Sequence, residues 1–389
     1  MNIKNYTINL DCEIRWMKKI SLEIQAACGV KTGIGWYIYN LVKNLKESNN
    51  NEYTGEIFNF MSRKDLEDFS KINLNMKQNK IIPYSIYDKI KRKLPIKYNR
   101  LIGTKSDIYH FFNFTIPKNI DGKVILTIYD TVFITAKDTI DFKRPIEDYI
   151  NSAKQADRII TVSESAKRDI IRNLEVEASK IDVIYPGIDL EVYNKIYNED
   201  EKRKVKKKYS LPENYLLYLG TIEPRKNLVN VLKAFAKFKE KDKKMKLVIS
   251  GKLGWKSENI PELIENLGIK DDIIFTGYVD ENDKVLIYKL AQIFLFPSIY
   301  EGFGMPILEA MAAGIPVITS NYSSMPEVVG EAGILINPNS YDEISNAIEN
   351  IINEDDKSLQ KRITLGIERS RNFTWEKSSK QLEKIYNSM

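Results

Sequence analysis

The chain has 389 residues, enough for two domains that each bury a core. Hydrophobic residues make up 43% and charged residues 29%, the balance of an ordinary globular protein, and no apolar run is long enough for a bilayer span or a signal-peptide core. Two cysteines, Cys12 and Cys28, and one histidine, His110, exclude a disulfide framework and histidine-rich metal sites, so a reducing cytoplasm and no bound metal are expected.

In chain order, apolar runs of the first half predict strands over residues 6–10, 55–60, 107–111, 123–129, 158–162 and 181–185. Helices are predicted over about residues 34–46, 144–155 and 164–173, the last with Ser163 as N-cap. Within the net charge of +6, two basic runs stand out. Lys89-Ile90-Lys91-Arg92-Lys93, beside Ile86, Tyr87 and Leu94, has two readings: a basic amphipathic helix contacting a membrane surface peripherally, or a solvated helix face cut short by Pro95. Lys202 to Lys208 reads as a solvated face, and no nucleic-acid partner is expected.

From Asn214 onward the pattern is regular. Strands are predicted at 215–219, 246–250, 273–277, 293–296, 316–320 and 333–336, and Leu228, Val231, Leu232, Phe235 and Phe238 recur at helical spacing after the first. Each strand ends in Gly, Pro or Asn before a helix, which predicts right-handed βαβ units. The expected fold is α/β, with two Rossmann-like domains facing a central cleft: residues 1–205 and 206–372, and a last helix, 373–389, crossing back to the first.

Two loops of the second half carry the chemistry. Gly220-Thr221-Ile222-Glu223-Pro224-Arg225-Lys226-Asn227 follows its first strand, and Arg225 and Lys226 suit phosphate oxygens there. Pro297 to Glu309 follows its fourth strand. Gly302 and Gly304 lack a Cβ, Pro306 suits a first helical turn, and the amides from Gly302 through Phe303 to Met305 form an anion site. Glu309, in the first turn of its helix, has a structural reading there and a functional one as acceptor for two ribose hydroxyls, and Glu301 could reach a bound sugar; the segment predicts a site for a nucleotide diphosphate and a group attached to it.

These motifs resemble those of the retaining glycosyltransferases of family 4, which have the two-Rossmann GT-B fold. Further matches are Gly251, Phe275-Thr276-Gly277-Tyr278-Val279, Glu309-Ala310-Met311, Gly314-Ile315-Pro316-Val317 and Pro326-Glu327-Val328. In the first half Gly33-Ile34-Gly35-Trp36-Tyr37 and the stretch from Ala156 to Ser163 also match. The resemblance implies that Arg225 and Lys226 neutralise the donor diphosphate, that Gly277 and Tyr278 lie against the base, and that Gly33 and Gly35 form a loop closing over the phosphates. It implies metal-independent chemistry. Tyr129-Asp130 stands where relatives carry His-Asp, Trp36 where many carry Arg, and Thr221 where a large subset carries Arg. His110, at a predicted strand end, has two readings, structural or catalytic and acceptor-positioning, and Asp130 is the alternative contact to the sugar or acceptor.

The expected activity is transfer of a hexose, mannose among the candidates, from a GDP-, UDP- or dTDP-sugar to a saccharide or lipid-linked saccharide of a surface polymer. The expected location is the cytoplasm or the inner face of the membrane. Two alternatives are a nucleotide-sugar epimerase of the same fold and a non-catalytic subunit that binds a sugar nucleotide.

Overall fold

The computed structural model describes residues 17–29, 31–48, 50–139 and 144–389. Two parallel sheets organise them. The first holds β1 (Lys19–Glu23), β2 (Glu52–Phe58), β3 (Asn75–Asn79), β4 (Ile108–Phe111), β5 (Lys123–Thr127), β6 (Arg158–Thr161) and β7 (Ile181–Val183), in spatial order β3-β2-β1-β4-β5-β6-β7. The second holds β8 (Tyr215–Leu219), β9 (Lys246–Ser250), β10 (Ile273–Gly277), β11 (Ile293–Phe296), β12 (Val317–Ser320) and β13 (Ile334–Ile336), in order β10-β9-β8-β11-β12-β13. Strand order reverses between β1 and β4 and between β8 and β11. At such a switch point the following loops part, and the crevice at the strands' C-terminal ends takes ligands.

Helices cover both faces of each sheet, so the central strands are apolar throughout; β11, Ile-Phe-Leu-Phe, is buried at all four positions. The helix Leu228–Lys239 follows β8 and buries Leu228, Val231, Leu232, Phe235 and Phe238 against the second sheet. Each such side chain contributes about 2 kcal/mol by leaving water.

In the first half, the expected strand at 6–10 lies outside the described residues. β1, Lys-Ile-Ser-Leu-Glu, is an interior strand that pairs with both β2 and β4. Gly33 and Gly35 form no loop. They are in the first turn of the helix Gly33–Ser48, and a Cβ on Gly35 would lie 2.7 Å from the Ala26 carbonyl, so glycine lets that turn seat against the chain after β1.

The basic run is split between inside and outside. The helix is Tyr84–Ile90, and just beyond it Lys91 is buried, donating to the Thr115 carbonyl (3.0 Å) and pairing with Asp88 (2.9 Å). Arg92 donates to the Ile116 carbonyl (3.1 Å) and Ser152 Oγ (3.0 Å). Lys202 to Lys208 lie in the helix Glu199–Tyr209, which opens on an Asn198–Glu201 capping box; Lys202, Lys206 and Lys208 pair with exposed acids.

The final helix, Trp375–Ser388, packs against the helix Gly33–Ser48 of the first half. Lys18 Nζ donates to the carbonyls of Tyr386 (3.0 Å) and Asn387 (3.2 Å), and Glu383 accepts from the Tyr53 hydroxyl (3.2 Å). Leu382 and Tyr386, one turn apart, are fully buried there.

Candidate functional site

The loops after β8 and β11 meet at the second sheet's switch point. Asn227, in a left-handed conformation (φ 61°), donates to the Pro297 carbonyl (3.0 Å), and Ile299 N–H donates to the Arg225 carbonyl (2.8 Å). Arg225 and Lys226 are thereby fixed beneath Tyr300 and Glu301. Arg225 Nη1 donates to Glu301 Oε2 (2.6 Å) and Nη2 to Glu223 Oε1 (2.6 Å). Lys226 Nζ donates to Glu301 Oε1 (2.5 Å) and stands 4.8 Å from the Phe296 ring centroid.

Burial by itself would raise the Glu301 carboxyl, but the Arg225 and Lys226 charges outweigh it and hold it down at about 2. Glu301 is therefore a carboxylate at neutral pH, and its partners are the two cations rather than open space. Arg225 Nε is buried with no acceptor among the described residues. The amides of Gly302, Phe303 and Gly304 also have no acceptor among them. Gly304 (φ 103°) then starts the helix Met305–Ala313, with Pro306 in its first turn. A guanidinium, an ammonium and a row of free amides at a helix N-terminus suit a multiply charged anion.

Glu309, on that helix, accepts from Lys284 Nζ (2.8 Å) and the Tyr288 hydroxyl (3.0 Å). Two hydrogen bonds leave a carboxylate further acceptor capacity. Gly277 (φ 67°) ends β10, and Tyr278 after it is exposed, with Lys252 Nζ 5.0 Å from its ring centroid.

The first half comes close to this site through Tyr129 and Asp130, just after β5. A Cβ on Gly302 would lie 2.6 Å from the Tyr129 carbonyl and 3.1 Å from Asp130 Oδ2. Only glycine admits that approach. Burial raises the Asp130 carboxyl, while the Val132 amide and Arg225 pull it down. Asp130 thus joins Arg225, Lys226 and Glu301 in one cluster across the cleft.

Three more contacts tie the halves, and no local pattern in the sequence announces that these residues meet. Ser163 Oγ caps Ala166 N–H as predicted and also donates to the Gly302 carbonyl (2.6 Å). The Tyr300 hydroxyl donates to Asp169 (2.7 Å). Glu327 accepts the Glu164 (2.7 Å) and Ser165 (3.1 Å) amides, at the first turn of the helix Glu164–Leu174, and the Tyr185 hydroxyl (2.7 Å). Pro326-Glu327-Val328 was visible as a motif, but its partners are 142 to 163 residues away in sequence.

His110 is not in the cleft. It sits inside β4, fully buried, with Nδ1 sharing a hydrogen bond with the Tyr386 hydroxyl (2.7 Å) and Nε2 with Thr127 Oγ1 (2.8 Å). Burial pushes its pKa down to about 3, so it stays neutral. Both nitrogens are engaged under the last helix, so neither is open to an acceptor, and a structural role is expected. His110→Ala is expected to cost about 2 kcal/mol of stability by orphaning two hydroxyls and leaving a cavity. Turnover per folded molecule should stay near wild type. A thermal melt and active-site-normalised kinetics check both, and a dead but fully stable variant would reverse the assignment.

The O-antigen chain mannosyltransferase B of Escherichia coli is 33% identical over 290 residues, 72% of this chain and 74% of that one. The model described as Glycosyltransferase Family 4 matches residues 32–192, and that of Glycosyl transferases group 1 matches 199–369. The chain belongs to the family 4 glycosyltransferases. This glycosyltransferase is also 28% identical over 264 residues to the serotype-specific mannosyltransferase WbdA of E. coli, of which it spans 32%. Among solved structures, HepE of Anabaena in complex with UDP and glucose superposes with a TM-score of 0.73 at 16% identity, covering 96% of this chain and all of that one. Sucrose-phosphate synthase of Thermosynechococcus elongatus gives 0.75 at 19% identity, over 95% and 98% of the two chains. Both likenesses show the GT-B fold.

Proposed function

We propose that this glycosyltransferase moves a hexose from a nucleotide diphosphate sugar to a saccharide of a surface polysaccharide or glycolipid, with retention at the anomeric carbon and without a metal ion. The carrying observation is the Arg225–Lys226 pair held on Glu301 beside the free amides of Gly302 to Gly304. When the bond from the sugar to the β-phosphate breaks, negative charge grows on the leaving phosphate. Arg225, Lys226 and the amides are oriented before the reaction to receive it, the role a metal ion fills elsewhere. The acceptor hydroxyl attacks the anomeric carbon on the departing side, and a phosphate oxygen takes its proton. Asp130, across from Gly302, lies where it can contact the sugar or acceptor.

Glu309 and its Lys284–Tyr288 frame would hold the ribose, and Tyr278 would cover the base. The relatives named as mannosyltransferases make GDP-mannose the first donor to test. The experiment is a thermal-shift screen of GDP, UDP, dTDP and their sugars in EDTA, followed by transfer with the selected donor and assignment of the product anomer by NMR. One nucleotide should raise the unfolding temperature, since a ligand held only by the native state stabilises it. Transfer should persist in EDTA and give the donor's own anomer. Absence of any nucleotide shift, loss of transfer in EDTA, or an inverted product would each overturn the matching part of the reading.

A further inference from the structure

The whole excess of positive charge in this chain sits in one stretch of the first half. Residues 72–106 hold nine lysines and arginines against one acid, Asp88, a net of +8 in a chain whose formal charge is +6. Asp88 is turned inward, where Arg144 and Lys91 pair with it. Lys91 and Arg92 are spent on the carbonyls of Thr115 and Ile116, and Lys97 on Asp121 (3.1 Å). Lys80, Lys89 and Lys93 are exposed and have no ion pair among the described residues.

The same stretch exposes four isoleucines: Ile81 (81%), Ile86 (52%), Ile90 (37%) and Ile96 (47%). Ile86, Lys89, Ile90 and Lys93 follow helical spacing and share one side of the helix Tyr84–Ile90 and the turn after it. The opposite side is fastened down, because Tyr87 stacks on Phe58 with ring centroids 3.8 Å apart and Lys91 is buried. The result is a firmly held face of aliphatic side chains and free lysines with no acid beside them.

We propose that this face docks on an anionic lipid surface, with the isoleucines entering the headgroup–acyl boundary and Lys80, Lys89 and Lys93 meeting lipid phosphates. Charge and apolar character select the occupant together. A second copy would set two strongly positive faces against each other, and a nucleic acid would give the isoleucines nothing to enter. No helix of the described residues is long and apolar enough to cross a membrane, so the contact is peripheral. The Tyr84 hydroxyl, at the start of this helix, accepts from Asn113, just past the C-terminal end of β4, so the helix that carries the docked face starts at the cleft end of the sheet. Docking itself does not depend on the transfer reaction; delivery of a lipid-linked acceptor to the cleft does.

The test is flotation of the full chain with vesicles of phosphatidylcholine alone and with about one third phosphatidylglycerol. Binding is expected only to the anionic vesicles, weakening as salt rises. Ile86→Asn/Ile90→Asn and Lys89→Gln/Lys93→Gln should each lower the partition about tenfold or more, with the unfolding midpoint and nucleotide-induced thermal shift unchanged. Failure of the wild type to float with anionic vesicles, or equal flotation of the variants, overturns the proposal. So does a dimer in analytical ultracentrifugation that the isoleucine variant dissociates, since a second copy would then cover the face. A floating protein that transfers no sugar would leave docking intact and sink the reaction instead.

Discussion

Arg225→Ala is expected to lower turnover by about a hundred- to a thousand-fold, the loss seen when one preorganised donor to developing charge is removed. The geometry makes this residue hard to replace. Its guanidinium reaches Glu301, Glu223 and the Tyr300 carbonyl at once, yet keeps Nε unpartnered in the site. Lys226 alone cannot make up the loss, because an ammonium is a point charge without the guanidinium's planar fork, and burial lowers its pKa. Arg225→Lys keeps the charge but not the planar fork, so most of the loss should remain. Removing Arg225 also leaves Glu223 and half of Glu301 without their cation, so the unfolding midpoint must be followed beside kcat. Wild-type turnover in a folded Arg225→Ala protein would end the proposed mechanism.

The second half was legible because its strands are short apolar runs between glycines and prolines, as sheets buried on both faces require. All six of its strands fall within one residue of their expected bounds. The first half was harder. β1 carries Ser21 and Glu23 within a buried core, and β3, Asn-Met-Lys-Gln-Asn, is an edge strand with almost no apolar signal. His110 was misplaced for a different reason. Its strand was right, but the face it occupies is closed by a helix from the far end of the chain, and no local pattern announces that. Glu301 was expected on the sugar; only the meeting of two loops some 75 residues apart puts it on Arg225 and Lys226. The motif was local, whereas its electrostatics were not.

Glu23 shows what the first half costs to hold together. It ends β1, nearly inaccessible, and accepts the Gln25 amide (3.2 Å). Among the described residues Lys91 is the one cation facing it, while Asp88 and Glu56 add like charge and Tyr84, Tyr87 and Tyr98 pack around. Burial dominates and raises its carboxyl from 4.5 to about 7. The folded state therefore binds this proton more tightly than the unfolded chain. Stability contributed by the protonated form is full below pH 4.5 and falls as pH rises to about 7, by about 3 kcal/mol at 1.36 kcal/mol per pKa unit. Glu301 works in the opposite direction, since its depressed pKa stabilises the fold above pH 4.5 and that gain is lost as pH falls toward 2. Glu23→Gln keeps the acceptor for Gln25 and removes the charge. The variant should match wild type at pH 4.5 to 5 and exceed it by up to about 3 kcal/mol at pH 8. Urea unfolding at the two pH values reads the difference directly. A gain of equal size at both would show that packing, not ionisation, is what the substitution changed.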